Sequence, residues 1–380
     1  MSNLIDLVRK DELSLYIHYP FCKSKCPYCD FNSHVRSSVD YDRFLKAYLR
    51  ELEFYSKKLG KRSIKTIFFG GGTPSLMPVF MVEKIIEKIS ELWSLDPSCE
   101  ITLEANPTSF EAEKFKDFCV AGINRLSLGI QALNDQDLRF LGREHSAEEA
   151  IKTIETAAKI FNNFSFDLIY ARPEQDLNSW REELMRAINF GTKHLSLYQL
   201  TIEKGTKFFG EYQRQKFQMP DEEKSARFYE ITNQITSSAG LEIYEISNYA
   251  KNGSECAHNL VYWRGGDYLG IGAGAHSRIF FEGENIRTSA MNIHDPINWL
   301  KSVEEKGNSA QFEEKISLED LQKELILMGL RLREGADKKF FDSAKAQKLI
   351  NQGLLEVFGK NFRIPNNFIL LTNSILQKLV

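Results

Sequence analysis

The sequence predicts an α/β protein whose parallel sheet curls into a partial (β/α)6 barrel of the TIM type, followed by a small C-terminal α+β domain. From residue 14 to about 200, short β-rich runs alternate regularly with longer amphipathic segments. Six βα units in succession are typical of a parallel sheet that closes wholly or partly into a barrel. A different pattern, with two helices and a hairpin, follows residue 311. We therefore expect a barrel domain over 1–291 and a C-terminal domain over 292–380.

The elements of the barrel follow from hydrophobic periodicity and from residue types favoured in strands. The predicted strands are Ser14–Tyr19, Thr66–Phe69, Glu100–Glu104, Arg125–Ile130, Ser165–Tyr170 and His194–Leu200. The predicted helices lie near residues 39–59, 79–93, 109–121, 146–161, 178–190 and 221–239. Each strand is thus followed by a helix, as a parallel barrel requires.

The composition is that of an ordinary globular chain, with 42% apolar and 27% charged residues and a formal net charge of −3. This balance gives no broad electrostatic reason to bind nucleic acid. Residues 1–12 contain no apolar stretch of the signal-peptide kind, and no apolar run is long enough to span a bilayer. Six cysteines without a paired framework favour a reducing compartment. We expect a cytoplasmic protein and leave peripheral contact with a membrane open.

Three of the six cysteines lie within eight residues, directly after the first predicted strand, as Cys22, Cys26 and Cys29. Thiolates with this C-x3-C-x2-C spacing can hold three irons of a [4Fe-4S] cluster on one short loop. The fourth iron would have no cysteine. A zinc site that also uses His18 and His34 is the alternative, although no second C-x2-C pair occurs. A disulfide would leave an odd thiol.

Polar residues cluster at the carboxyl ends of the predicted strands, where the βα loops of a barrel form its mouth. They are Gly70 to Thr73, Glu104, Asn106, Gln131, Asp167, Tyr198 and Gln199. Singly, the glycines could be a tight turn and the carboxylates could be helix caps or ion-pair partners. The Gly-rich stretch is no phosphate-binding P-loop, because no Gly-Lys-Ser/Thr follows it. Their shared position favours a single site.

The chemistry of these groups describes one kind of ligand. Glycine lets backbone groups approach a ligand closely, and Glu104 could accept hydrogen bonds from an ammonium group. Arg143 offers a planar fork suited to a carboxylate. Gln131 and Asp167 would suit the hydroxyls of a ribose. Together they describe an amino acid joined to a nucleoside.

The cysteine motif and Gly70-Gly71-Gly72-Thr73-Pro74 resemble those of the radical S-adenosylmethionine (SAM) superfamily. The resemblance implies a [4Fe-4S] cluster whose open iron binds the amino and carboxylate groups of SAM, and whose electron cleaves SAM to a 5′-deoxyadenosyl radical. It also implies a set of residues that contact SAM. They are Tyr16, Tyr28, Gly71, Gly72, Thr73, Glu104, Gln131, Arg143 and Asp167.

Within the superfamily, the chain resembles the oxygen-independent coproporphyrinogen III oxidases and their HemW relatives over almost its whole length. Leu15–Cys22, Ser127–Gln131 and Asp167–Tyr170 carry this resemblance. Three features are typical of HemW: a short segment before the cysteines, Phe31 where the oxidases have a fourth cysteine, and the motif His258–Trp263. The resemblance implies a haem chaperone that passes haem to acceptors such as respiratory enzymes. The alternative is a coproporphyrinogen III oxidase, so whether the chain is an enzyme stays open.

The HemW-like motif implies that haem binds through His258, with Asn259, Tyr262 and Trp263 beside it. Imidazole is the usual proximal ligand of haem iron, and aromatic rings can lie against a porphyrin. Such a cluster alone is more often core packing. Cys256 is a competing soft ligand. The resemblance further suggests a haem donor protein and a homodimer linked to the cluster.

Two segments depart from simple patterns. The stretch Tyr170-Ala171-Arg172-Pro173 stands where the family usually has Y-G-L-P, so Arg172 could alter that turn or bring positive charge to the mouth. The small residues of Gly265–Ser277 look slightly like a dinucleotide motif but lack its strand-turn-helix setting. We expect a close-packed loop and short strand that close the barrel mouth.

The C-terminal part resembles a winged helix. After a polar stretch, Asn292–Gln311, which we interpret as a linker, two helices, a hairpin and a last helix follow. They are predicted at Leu318–Leu332, Lys338–Asn351, Leu354–Phe358 with Phe362–Ile364, and from Asn373 onward. The segment has no basic stripe, so a lid or docking domain is expected rather than a nucleic-acid reader.

Overall fold

The computed structural model describes residues 11–379, which contain one large sheet, a small three-stranded sheet and a two-stranded one. The strands are β1 (Glu12–Tyr19), β2 (Phe21–Cys22), β3 (His34–Val35), β4 (Ser63–Gly71), β5 (Ser94–Ala105), β6 (Arg125–Gln131), β7 (Asn163–Tyr170), β8 (His194–Gln199), β9 (Glu242–Ile243), β10 (Asn248–Ala250), β11 (Tyr268–Ile271), β12 (His276–Phe280), β13 (Arg287–Asn292), β14 (Ala310–Ile316), β15 (Ala336–Asp337), β16 (Glu356–Phe358) and β17 (Asn361–Arg363). The α-helices are α1 (Tyr41–Leu59), α2 (Val79–Leu92), α3 (Ser109–Ala112), α4 (Phe115–Val120), α5 (Asp135–Phe140), α6 (Ala147–Ile160), α7 (Leu177–Ile188), α8 (Lys207–Gln213), α9 (Glu222–Ser238), α10 (Ala257–Trp263), α11 (Pro296–Lys306), α12 (Leu318–Gly329), α13 (Ser343–Asn351) and α14 (Thr372–Leu376).

The predicted partial barrel is confirmed. The large sheet has the order β14-β13-β12-β11-β1-β4-β5-β6-β7-β8-β10-β9, and its two ends do not pair with each other. All six predicted strands are present, as β1 and β4 to β8, and each pairs in parallel with its neighbour. β11 adds a seventh parallel strand beside β1. The open barrel therefore leaves a gap between its first and last parallel strands.

The barrel strands alternate between an apolar outer face and a polar inner face. Leu15 and Ile17 of β1 are fully buried on the outer side, against the surrounding helices. The inner side carries hydrogen-bonded polar groups: the Arg125 guanidinium donates to the Ser165 hydroxyl, and this hydroxyl donates to that of Ser127. Because successive side chains of a strand point to opposite faces, the same strands build both the core and a polar interior.

Two predicted helices differ from the structure at their boundaries. The helix expected over 109–121 is divided into α3 and α4, because the chain makes shorter, i to i+3 bonds at the break, as from Lys114 N–H to the Glu111 carbonyl. The helix expected over 338–351 begins only at Ser343. Asp342 caps it, accepting from the Lys345 N–H, and a 3₁₀ turn precedes it.

The prediction of a linker over Asn292–Gln311 was wrong. This segment contains α11, whose Trp299 is completely buried in the barrel's own core, and its last residues begin β14. β14 pairs with β13 and forms an edge of the large sheet. The polar exposed face of α11 produced the linker-like composition. We therefore propose that the boundary between the two domains lies near Ser317 rather than at residue 292.

The segment Gly265–Ser277 forms part of the sheet instead of closing the barrel mouth. Within it, β11 pairs in parallel with β1, and β12 returns antiparallel through Tyr268 and Arg278. Small residues are required here because the chains approach closely: a Cβ at Gly270 would lie 2.2 Å from the His276 carbonyl oxygen. The segment thus extends the barrel wall.

The C-terminal segment has its own apolar core and the predicted arrangement of helices and a hairpin. Helices α12 and α13 pack with the sheet β15-β17-β16, and the hairpin turns at Gly359 and Lys360. This unit contacts the barrel through the Arg264–Glu334 ion pair, with 2.7 Å between Nε and Oε1. Residues of its last elements reach the barrel mouth.

Arg172 lies in the core rather than at the mouth. Its side chain is 1% exposed and ion-paired to Glu183 and Asp137, and its Nη1 donates to the Ile169 carbonyl at 2.9 Å. The expectation that Arg172 brings positive charge to the mouth was therefore wrong. Ala171 has a φ of 55°, a left-handed conformation that favours glycine.

Candidate cofactor site

A cavity of about 820 Å³ opens at the carboxyl ends of the barrel strands. Its wall contains the three clustered cysteines and all of the predicted SAM contacts but one. The predicted residues that line it are Cys22, Cys26, Cys29, Tyr28, Gly71, Gly72, Thr73, Glu104, Gln131, Arg143 and Asp167. The barrel topology explains this convergence, because the loops after parallel strands meet at one end. Tyr16 instead faces a neighbouring cavity.

Each of the three clustered thiols has a polar neighbour. The Thr73 hydroxyl donates to the Cys22 sulfur at 3.4 Å, and the Arg143 guanidinium donates to the Cys26 sulfur at 3.3 Å. The Cys29 sulfur lies 3.8 Å from the Ser33 hydroxyl. Donors directed at sulfur stabilise thiolates, the form that binds iron. The three thiols are unpaired with other cysteines and fit a cluster that has one iron without a cysteine.

Distant parts of the chain hold the cysteine loop in place. Gly142 has a φ of 66°, and a Cβ there would lie 2.5 Å from the Pro27 ring, so glycine permits this close contact. The Phe208 N–H donates to the Pro27 carbonyl at 2.9 Å. On the other side, the Thr73 N–H donates to the Phe21 carbonyl. The loop is thus fixed by contacts from three βα units.

Two carboxylates lie in the inner part of the cavity. Burial and, to a smaller extent, the nearby charge of Asp167 raise the pKa of Glu104 to about 8, although a 3.2 Å hydrogen bond from the Gly71 N–H opposes the shift. Burial also raises the pKa of Asp167 to about 6, against the effect of the Ser196 hydroxyl. Buried carboxylates with raised pKa values are typical of sites that receive a cation or a donor group.

Arg143 links the cysteine loop to β6 and to the loop after β5 through the hydrogen bonds of its guanidinium. Its Nη2 donates to the Asn106 side-chain oxygen at 2.5 Å and to the Gly129 carbonyl at 2.9 Å, while Nη1 reaches Cys26. Asn106 in turn donates to the Thr73 hydroxyl at 3.2 Å. The guanidinium is therefore held in a fixed orientation at the edge of the cavity, as recognition of a carboxylate requires.

Gln131 has a strained backbone. Its φ is 74°, a left-handed conformation that costs a residue other than glycine about 1–2 kcal/mol. It ends β6 at the register shift between β6 and β7, so the side chain is turned into the cavity. Strain of this kind is concentrated at binding sites.

A second cavity of about 690 Å³ adjoins the first and shares Glu104 and Gly71 with it. Three of the predicted haem residues, Asn259, Tyr262 and Trp263, line its wall. His258 does not line this cavity: it is 1% exposed and lies inside the barrel. The four motif residues are therefore adjacent in sequence but face different surroundings.

The His258 ring has a partner at each nitrogen. Nδ1 is 2.6 Å from the Thr66 hydroxyl, and Nε2 is 2.7 Å from the Tyr262 hydroxyl. Its backbone N–H donates to Glu100, and the Phe68 ring stacks on it at 5.0 Å between centroids. Burial lowers the pKa of His258 to about 3, so the imidazole is neutral.

The competing ligands suggested by the sequence also have other partners. Cys256 is buried, and its thiol lies 3.5 Å from a Glu100 oxygen. His18 and His34, which a zinc site would use, are each hydrogen-bonded to Asn32. Across residues 11–379, no three His, Cys, Asp or Glu side chains converge on a position for a single metal ion.

Several residues of the two cavities were not predicted. Asn106 was expected at the mouth, but its role in orienting Arg143 was not, and neither was Asn32, which donates to the backbone carbonyls of Ala273 and His294. Nothing in the local sequence marks an asparagine as a bridge between segments more than two hundred residues apart. The histidines at 276 and 294, which line the second cavity, carried no motif.

Comparisons with known proteins agree with this geometry. A family model described as the radical SAM superfamily matches residues 16–187. The heme chaperone HemW of Escherichia coli is 35% identical, covering 98% of this chain and 99% of the relative, and that of Haemophilus influenzae is 38% identical, covering 93% and 92%. A mitochondrial radical S-adenosyl methionine domain-containing protein 1 of Danio rerio is 35% identical, covering 93% and 79%.

Among solved structures, the coproporphyrinogen III oxidase HemN of Escherichia coli superimposes with a TM-score of 0.81 at 22% identity, covering 99% of this chain and 92% of that one. At this identity the likeness shows a common fold. Barrel, cysteine loop and cavity together define a radical SAM protein. The matched relatives cover both domains at 35–38% identity, and the chain therefore belongs to the HemW family of this superfamily.

No helix among residues 11–379 is both long and apolar enough to cross a lipid bilayer.

Proposed function

We propose that this protein is a haem chaperone: it binds haem, carries a [4Fe-4S] cluster with SAM, and transfers haem to acceptor proteins such as respiratory enzymes. The observation that carries this proposal is similarity to HemW haem chaperones over nearly the whole of both chains, 98% of this one and 99% of the relative from Escherichia coli. Similarity of this extent includes the segment around His258 and the C-terminal domain as well as the cysteine loop.

The cofactor residues support the proposal. Cys22, Cys26 and Cys29 would hold the cluster, which supplies one-electron chemistry toward SAM when both are bound. Glu104 would accept from the amino group of SAM, and Arg143 would receive its carboxylate. These two groups lie on the wall of the same cavity. Gln131 and Asp167 would accept from the ribose hydroxyls, and Tyr28, Gly72 and Thr73 would complete the contacts.

The second cavity supports a haem site beside the SAM site. Its aromatic residues Tyr262 and Trp263 offer faces for a porphyrin, and its wall includes Tyr16. Because both cavities include Glu104 and Gly71, haem and SAM would occupy connected spaces. Phe31, which stands where the oxidases have a fourth cysteine, is 62% exposed and contributes to both.

We further propose that the acceptors are met at a membrane surface, that a donor protein supplies haem, and that the cluster promotes a homodimer. The family resemblance supports these points. Light scattering after size-exclusion chromatography, with and without reconstituted cluster, tests the dimer. Flotation with vesicles of anionic phospholipid tests surface contact.

Anaerobic reconstitution with iron, sulfide, SAM and haem tests the function against the alternative oxidase. We expect a Soret band from bound haem, transfer of that haem to an apo-cytochrome, and no conversion of coproporphyrinogen III to protoporphyrinogen IX. Conversion of coproporphyrinogen III by the reduced protein with SAM would instead identify an oxidase.

The triple variant Cys22→Ser, Cys26→Ser, Cys29→Ser is the matched control. We expect it to lose the cluster's visible absorption and to retain haem binding, because the haem cavity contains none of these cysteines. Cys119, an exposed cysteine outside both cavities, provides a substitution that should leave both signals unchanged.

A further inference from the structure

The buried position of His258 does not suit a ligand of haem iron. A haem ligand must direct a free lone pair into the space that the porphyrin occupies. His258 does not meet this requirement. Both of its ring nitrogens have hydroxyl partners, and its side chain is buried away from the cavity. To coordinate iron it would have to break a bond to Tyr262 and leave the barrel interior. Its contacts assign it to positioning Tyr262.

Two other imidazoles meet these requirements. His276 and His294 are exposed, and both line the second cavity. Within residues 11–379, neither ring has a hydrogen-bond partner. An imidazole nitrogen without such a partner can direct its lone pair at iron.

The fold favours His276 over His294. His276 begins β12 and pairs with Met291 of β13, so its backbone is fixed within the sheet. His294 lies between β13 and α11, outside any strand or helix. A ligand carried by a regular element holds its position more precisely than one on a loop.

The rest of the cavity suits a flat, aromatic ligand. Trp263, Tyr262 and Tyr268 line the wall, the two tyrosine rings packing edge to face at 4.6 Å. Arg287 also lines it, but its guanidinium is 1% exposed and already faces Asp267, with 3.7 Å between Nε and Oδ1, and it donates to the Gly266 carbonyl. We therefore assign Arg287 to the cavity wall and not to a contact with haem.

We propose that haem binds in the second cavity with its iron coordinated by His276 and its ring against Trp263 and Tyr268. This inference rests on the proposed haem-binding function. It assigns the motif residue His258 a structural role.

Titration of haem into the purified protein, followed in the Soret region, tests the assignment. We expect His276→Ala to lose the Soret shift of the wild-type complex and to weaken haem binding at least about tenfold, the loss that removing even an outer-shell partner of a metal ligand typically causes. Added imidazole should restore the shift, because a small ligand can fill the space of the missing ring. His294→Ala, the matched exposed histidine, should keep both band and affinity.

His258→Gln should bind haem with an unchanged Soret band, whereas a lost band with an unchanged circular dichroism spectrum would overturn the inference. A shift lost in His294→Ala but kept in His276→Ala would overturn it equally. Because His258 is buried, Thr66→Val provides a second variant, which removes the Nδ1 partner of His258 from outside the second cavity. An unchanged Soret band is expected there too, and a lost band in the folded variant would overturn the inference. If the wild-type protein itself binds no haem, the proposed function fails rather than the ligand assignment.

Discussion

Arg172 and Glu183 form a buried ion pair, with 2.5 Å between Nη2 and Oε2. Asp137 shares the same guanidinium at 2.8 Å, and Glu183 also accepts from the Leu133 N–H at 2.7 Å. The pair thus joins the turn after β7 to α5 and α7. The turn carries an arginine where the family usually has leucine, and this network is the structural reason.

We expect Arg172→Leu to lower the free energy of unfolding by about 3–5 kcal/mol, because removal of one partner leaves a buried charge uncompensated. Adding Glu183→Gln should recover part of this loss, since the amide oxygen can still accept from Leu133. Urea unfolding of the two single variants and the double variant measures the coupling. Additive losses would show that the two side chains do not interact.

Ala171 adopts a left-handed backbone, with φ of 55°. Ala171→Gly should relieve about 1–2 kcal/mol of backbone strain, against about 0.5–1 kcal/mol from the greater freedom of glycine in the unfolded chain. A net gain in thermal stability is expected. Ala158→Gly, at an exposed position inside α6, should instead lose about 1 kcal/mol. Equal losses of thermal stability in Ala171→Gly and Ala158→Gly would show that the backbone of Ala171 is not strained.

Glu51 is a fully buried carboxylate that accepts from the Gly272 N–H and from the side chains of Asn292, Trp299 and Ser309. Burial raises its pKa from 4.5 to about 7 despite these donors. Between these two pKa values the folded state keeps a proton on Glu51 that the unfolded state has released. The resulting contribution to the free energy of unfolding is complete below the unfolded pKa of Glu51 and is lost as pH rises through its folded pKa.

The wild-type advantage over Glu51→Gln should consequently shrink by about 3 kcal/mol between pH 4.5 and pH 8. Comparison of the two proteins removes the contributions of Glu104 and Asp167, which have the same sign and are present in both. Urea unfolding across this pH range supplies the measurement. An advantage that grows with pH would mean that the four donors outweigh burial.

Gly142 and Gly191 provide a matched pair for testing the cysteine loop. Both have left-handed φ values, 66° and 74°, but a Cβ at Gly142 would meet Pro27, whereas one at Gly191 meets nothing within 4 Å. Each alanine variant should lose about 1–2 kcal/mol of stability through its left-handed backbone, and the clash with Pro27 should add to the loss at Gly142. Only Gly142→Ala should displace Arg143 and weaken SAM binding to the reconstituted protein, by about tenfold if one charge-assisted bond is lost. Equal SAM affinities of Gly142→Ala and Gly191→Ala in equilibrium dialysis would show that Gly142 has no effect on the SAM site.

The parts of the fold that depend on local pattern could be predicted from the sequence. The six barrel strands follow from short runs of alternating character, and the convergence of Glu104, Gln131 and Asp167 follows from strand ends alone. The linker prediction failed because the interior face of α11 contributes few apolar residues, and because Trp299 packs against a helix about 250 residues earlier. Such tertiary burial leaves no local signal.

The haem residues show the same limit more sharply. A motif fixes the spacing of His258, Tyr262 and Trp263 along the chain, but a short helix directs its side chains to different sides. Which of them reach the cavity depends on Thr66 of β4, which holds the imidazole inside the barrel. His276 lies in a stretch whose small residues predicted close backbone packing and no ligand.

The contacts that hold the cysteine loop come from parts of the chain that are synthesised at very different times. Pro27 leaves the ribosome early, but its partners at Gly142 and Phe208 follow much later, the second after about 180 residues, or on the order of 10–40 s of synthesis. Until then the loop has the neighbours of Cys22 and Cys29, at Thr73 and Ser33, but not all of the contacts that fix its backbone. The complete support of the loop therefore forms only after most of the barrel has been synthesised.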